Sequence, residues 1–97
     1  MTVYAIVQLS MKNKDAYNRY QAKFMDVFQR FSGQLLASDE HPAVLEGTWE
    51  KDKIVLISFP DENAFKEWAQ SSDYQEILKD RKEGADAIVL LLKGLAP

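Results

Sequence analysis

The chain has 97 residues, 46% of them hydrophobic and 28% charged, with a net charge of −3 and a pI near 5.1. This is globular composition and excludes disorder, while the acidic balance and scattered basic residues exclude a groove that tracks phosphates. Cysteine is absent, so disulfides, thiolate catalysis and cysteine metal sites fall away together.

The first predicted element is VYAIVQL (3–9), β-branched and apolar at nearly every position, the pattern of a strand covered on both faces. A helix follows. Asn13 is its expected N-cap, Asp15 suits the positive end, and Gly33 is the expected residue just past its C-terminus. Tyr17, Tyr20, Phe24, Val27, Phe28 and Phe31 recur at three- and four-residue steps and form one apolar stripe. QLLAS (34–38) reads as a short strand, interrupted by the turn SDEHP (38–42) and resumed by AVLEGTW (43–49). Glu50 to Lys53 is a charged turn, and IVLISF (54–59) is expected to return as the hairpin partner. Pro60 closes that strand, and Asp61 is the expected N-cap of a helix with Ala64, Phe65, Trp68 and Ala69 on its inner face. The helix should pause at Ser71–Ser72 and restart where Asp73 and Glu76 have capping-box spacing. Tyr74, Ile77, Leu78 and Arg81 share a face of this second piece. Gly84 ends it, and AIVLLL (87–92) is the last strand.

The order β-α-β-β-α-β predicts an α+β fold of ferredoxin-like type, an antiparallel sheet with helices on one face, as a single domain over 1–97. Helices on one face leave the other open, and strands with a solvated face should alternate apolar and polar. VYAIV, IVLI and AIVLLL do not alternate. The second face is therefore expected to be covered by another copy of the chain, as a homodimer through the sheet. No apolar run approaches the roughly 20 residues of a membrane span, and the N-terminus lacks the pattern of a signal peptide. A cytoplasmic protein is expected, with neither membrane nor nucleic acid as partner.

Few residues suggest chemistry. His41, the only histidine, lies beside Asp39 and Glu40 and is a candidate general base, although a polar turn before a proline is ordinary surface. One histidine with scattered carboxylates makes no transition-metal set, so no metal and no cofactor are expected. Glu46 falls inside an otherwise apolar predicted strand. There it either moves protons from a covered face or points to water at a sheet edge. Arg81 either recognises a carboxylate or enolate, or lays its stem on apolar surface near the helix end. Tyr17, Tyr20, Trp49, Trp68 and Tyr74 could build an aromatic wall with polar handles, or simply fill the core.

DAYNRYQAKF, LEGTW and FPDENAFKEWAQSSDYQEILKDR, taken in order, resemble the domain-of-unknown-function 1330 family, within the dimeric α+β barrel superfamily, over nearly the whole chain. The matching positions in the last segment are Phe59, Pro60, Ala64, Trp68, Ser72, Tyr74 and Arg81; the family often has Tyr and Pro where this chain has Ala69 and Asp73. The resemblance implies a homodimer whose two sheets form a barrel, and a cleft between helices and sheet for small molecules. The superfamily includes cofactor-independent monooxygenases, isomerases and haem-handling enzymes, so it indicates a location more than a reaction. The expected function is binding of a small organic molecule, aromatic or carboxylate-bearing, with or without cofactor-free chemistry on it. The alternative is a non-catalytic ligand sensor or a dimeric interaction module.

Overall fold

The computed structural model describes residues 1–95. In chain order it has β1 (Val3–Met11), α1 (Lys14–Phe28), β2 (Gln34–Asp39), β3 (Lys53–Phe59), α2 (Glu62–Ala69), α3 (Ser72–Gly84) and β4 (Ala85–Lys93). The strands make one antiparallel sheet in the order β2-β3-β1-β4. This is the expected ferredoxin-like α+β architecture, with its second helix divided into α2 and α3.

Caps fix where the helices begin. Asn13 Oδ1 accepts from the Ala16 N–H at 3.2 Å, and Asp61 Oδ1 accepts from the Ala64 N–H at 2.7 Å, both as expected. The restart differs from expectation. Ser71, not Asp73, is the cap of α3: its Oγ accepts from the Tyr74 N–H at 3.1 Å while donating to the Trp68 carbonyl at 2.7 Å. One hydroxyl thus closes α2 and opens α3, which places Trp68 and Tyr74 ring against ring, with centroids 4.1 Å apart. Gly33 is likewise not the residue that ends α1. That helix stops at Phe28 with Gln29 as its C-cap in an ordinary helical conformation. A side chain at Gly33 would meet the Phe28 and Phe59 rings within 2.7 Å, so the glycine allows that close packing instead.

The strand expected over 43–49 does not form. After Asp39 the chain leaves the sheet, and residues 40–52 contain no strand. The Asp39 carboxylate accepts the His41 N–H at 2.8 Å, Pro42 has no N–H to give, and Gly47 takes a positive φ of 86°; each interrupts extended pairing. The partner of β3 is β2, with a register shift between Leu35 and Ala37.

Alternation along the strands separates two faces. Val3, Ala5, Leu9, Ile57, Phe59 and Ala85 turn toward the helices and join the core with Phe28, Trp68 and Ile77. Tyr4, Ile6 and Gln8 have the opposite parity. They pair with Leu92, Leu90 and Ile88 on one side and with Ser58, Leu56 and Ile54 on the other. This second face is apolar and carries no helix; Ile88, Leu90 and Leu92 are exposed.

The junction of α3 and β4 also positions α1. The Gly84 carbonyl accepts the N–H groups of Lys12 and Asn13, at 2.8 and 3.0 Å. A Cβ at Gly84 would stand 2.5 Å from the Tyr17 backbone nitrogen. Neither backbone can yield cheaply, so Gly84→Ala is expected to destabilise the protein by about 1–3 kcal/mol, read as a lower thermal midpoint. An unchanged midpoint would show that α1 can move away freely.

Candidate functional site

Between the helices and the sheet lies a cavity of about 520 Å³. Its floor is apolar strand, with Ala5 and Val7 from β1 and Val55 and Ile57 from β3. The walls come from all three helices, because three- and four-residue steps turn Tyr17, Tyr20 and Phe24 of α1 and Tyr74, Leu78 and Arg81 of α3 toward the same space. Trp68 of α2 stands between these helices, edge-on to Phe24 and Phe28 with ring centroids 6.2 and 5.4 Å away.

The polar groups are few. The Tyr20 and Tyr74 hydroxyls share a buried hydrogen bond of 3.0 Å. Lys53 donates to Gln21 Oε1 at 3.3 Å, and its ammonium lies 5.0 Å from the centre of the Tyr17 ring. Two buried N–H groups of residues lining the cavity, Trp68 Nε1 and Arg81 Nη1, have no hydrogen-bond partner among the described residues. No Asp or Glu lines the cavity, whereas Lys53 and Arg81 both do. A chain of net charge −3 thus gathers two cations and two spare donors in one apolar chamber.

Burial pushes the Tyr17 phenol up to about 12, against the opposing pull of Arg81 and with a small addition from Glu40. Tyr20 is pushed well up, first by burial and then by Tyr74. Tyr74 is also raised by burial, although its bond to Tyr20 and the nearby Arg81 oppose the shift. All three phenols therefore hold their protons at neutral pH and act as donors, not bases. Raised phenol values favour the folded state fully below about pH 10, and that advantage is lost as pH rises through the folded value. The Tyr17 phenol is expected to make stability fall between about pH 10 and pH 12, with a shallower fall in Tyr17→Phe. Denaturant titrations across that range, with phenolate absorbance followed in parallel, would read it. An unchanged slope in Tyr17→Phe would mean that this phenol titrates alike in both states.

Of the residues singled out from sequence, Tyr17, Tyr20, Trp68, Tyr74 and Arg81 line the cavity, and Trp49, His41 and Glu46 do not. Trp49 lies on the opposite side of the sheet, where its Nε1 donates to Gln8 Oε1 at 3.0 Å. His41 is exposed in the turn after β2. Glu46 is exposed too, in the irregular segment beside Gly47 and not within a strand, because that strand is absent. Sequence reasoning missed Lys53 and Gln21. The signal for Lys53 was available: it shares the inward parity of Val55, Ile57 and Phe59, and reading it as part of a charged turn concealed this.

Residues 2–95 match the family described as "Domain of unknown function (DUF1330)". No curated protein matches the chain. Among solved structures, the RPA0582 protein of unknown function from Rhodopseudomonas palustris aligns at 21% identity with a TM-score of 0.82, covering 99% of this chain and 84% of that one. SnoaB, a cofactor-independent oxygenase from Streptomyces nogalater, aligns at 12% identity and TM-score 0.68, covering 99% and 95%. A dimeric ferredoxin-like protein of unknown function from Thermobifida fusca aligns at 11% identity and TM-score 0.68, covering 95% and 90%. At these identities the likeness is one of fold.

Proposed function

We propose that this chain, which belongs to the DUF1330 family, binds a small organic anion, an aromatic or carboxylate-bearing molecule, in the cavity between its helices and sheet. The observation that carries this reading is the pair of buried donors without a partner among the described residues, Trp68 Nε1 and Arg81 Nη1. A buried N–H without an acceptor is costly, and an incoming carboxylate or enolate would relieve that cost. Aromatic walls supply the apolar contact, and among the described residues no Asp or Glu lines the cavity to compete for Arg81. We further propose that two copies associate through the uncovered sheet face. The exposed Ile88, Leu90 and Leu92 support this, as does the dimeric description of the T. fusca neighbour.

The S. nogalater neighbour's description as a cofactor-independent oxygenase is the basis for reading the same cavity as a place of cofactor-free chemistry. A second reading, a ligand sensor without catalysis, is favoured by a specific feature. Among the described residues the cavity offers recognition groups but neither imidazole nor side-chain carboxylate as a base, and its phenols stay protonated. Both readings share the anion site. Calorimetric titration with benzoate and with neutral benzamide tests it: benzoate should bind at least about tenfold more tightly, the value of one charge-assisted hydrogen bond. Equal affinities would remove the anion from the proposal.

A further inference from the structure

Lys53 is the charged group for which anion binding by Arg81 and Trp68 leaves no task. It opens β3 opposite Leu9, with its side chain on the helix face, and only 7% of the residue is exposed. Buried lysines normally pair with a carboxylate or carry the ammonium out to water. Lys53 has no carboxylate partner within 4.0 Å among the described residues. Its one hydrogen bond among the described residues goes to a neutral amide oxygen, Gln21 Oε1, and beneath it lies the Tyr17 ring. Burial in an apolar chamber favours the neutral, nucleophilic form of this amine, while the Gln21 acceptor and the Tyr17 ring hold its nitrogen in a fixed place. Burial lowers its affinity for the proton, with Glu40 opposing. Around it stand Tyr17 and Gln21 from α1, and Glu40 just after β2.

We propose that Lys53 is a reactive amine that condenses with a carbonyl group on the cavity's ligand to form an imine, the ligand class being an aldehyde or ketone that also bears a carboxylate. The inference rests on the anion reading for how that ligand is held. The neutral Nζ attacks the carbonyl carbon, a C–N bond forms, and the π pair moves to oxygen. A proton then passes from nitrogen to that oxygen to give a carbinolamine. Loss of one water leaves the C=N bond, with no oxidant or reductant consumed. Arg81 and the Trp68 indole would hold the carboxylate and so orient the carbonyl.

The test uses 4-carboxybenzaldehyde at neutral pH with sodium cyanoborohydride, which reduces the imine to a stable secondary amine that peptide mass spectrometry can place. Lys53 should be labelled at least about tenfold faster than any other lysine, a barrier difference of about 1.4 kcal/mol. Benzaldehyde, without the carboxylate, should label it more slowly. Lys53→Arg should lose the fast label; if that variant does not fold, Lys53→Met serves the same comparison. Label spread over exposed lysines such as Lys79, with Lys53 unmodified while benzoate still binds, would overturn the imine and leave the anion site standing. Neither labelling at Lys53 nor benzoate binding would overturn both. Selective labelling at equal rates by the two aldehydes would keep the reactive amine and remove the carboxylate's role.

Discussion

Arg81→Met is expected to weaken benzoate binding by about 10–100-fold, the range set by one hydrogen bond to a charged group. The same substitution should leave the fold intact and its thermal stability equal or higher. The two effects have one cause. Arg81 holds Nη1 buried without a partner among the described residues, so the folded protein already bears the cost of desolvating that group. Methionine keeps much of the apolar stem that packs beside Tyr74 and Leu78 while discarding the orphaned donor. A residue that lowers stability in the empty protein and raises affinity for a ligand belongs to a binding site. Unchanged affinity together with a large loss of stability would assign Arg81 a structural task instead. Calorimetric titration and thermal unfolding on the same preparation would separate these outcomes.

Leu90→Glu should convert the proposed dimer into a monomer. Leu90 sits on the uncovered face directly opposite Ile6, is 48% exposed in the single chain, and is flanked on its own strand by Ile88 and Leu92 with the same parity. In a face-to-face pairing of sheets that position would be buried, and an unpaired carboxylate there loses its water with nothing in exchange. A penalty of about 3 kcal/mol or more, roughly a hundredfold in the dimer dissociation constant, is expected. Lys79→Glu, on the solvated side of α3 with its side chain 75% exposed, is the matched control and should change nothing. Sedimentation of the two variants would read the difference. A wild-type monomer, or a Leu90→Glu dimer of undiminished strength, would mean that the apolar face is covered in some other way.

Much of this architecture is legible in the residues because local signals and burial agree. Asn13 and Asp61 cap the helices that the apolar stripe predicts, and β1 and β4 are apolar enough to read as strands without a known partner. Residues 43–49 were misleading for a physical reason. Val44, Leu45 and Trp49 suit a strand by composition, but a strand exists only by pairing, and β3 already has β2 and β1 on its two edges. Leu45, 95% exposed, shows how little tertiary support that segment receives within one chain. Glu46 depended on that strand and left the sheet with it, while Trp49 found Gln8 on the far face. In the cavity, the helical period brought out Tyr17, Tyr20, Trp68, Tyr74 and Arg81, since one face of a helix can be read from spacing alone. Lys53 and Gln21 meet across 32 positions of sequence. No spacing rule joins them; the topology does.

The indole N–H signals of the ¹⁵N-labelled protein test the central claim most directly. The chain has two tryptophans. Trp49 Nε1 already donates to Gln8, and Trp68 Nε1 has no acceptor among the described residues. Addition of benzoate should move the Trp68 indole proton downfield, as a new hydrogen bond to a carboxylate requires, and leave the Trp49 signal in place; Trp49→Phe assigns the pair. Saturation by benzoate with the Trp68 signal unmoved would contradict an anion held in this cavity.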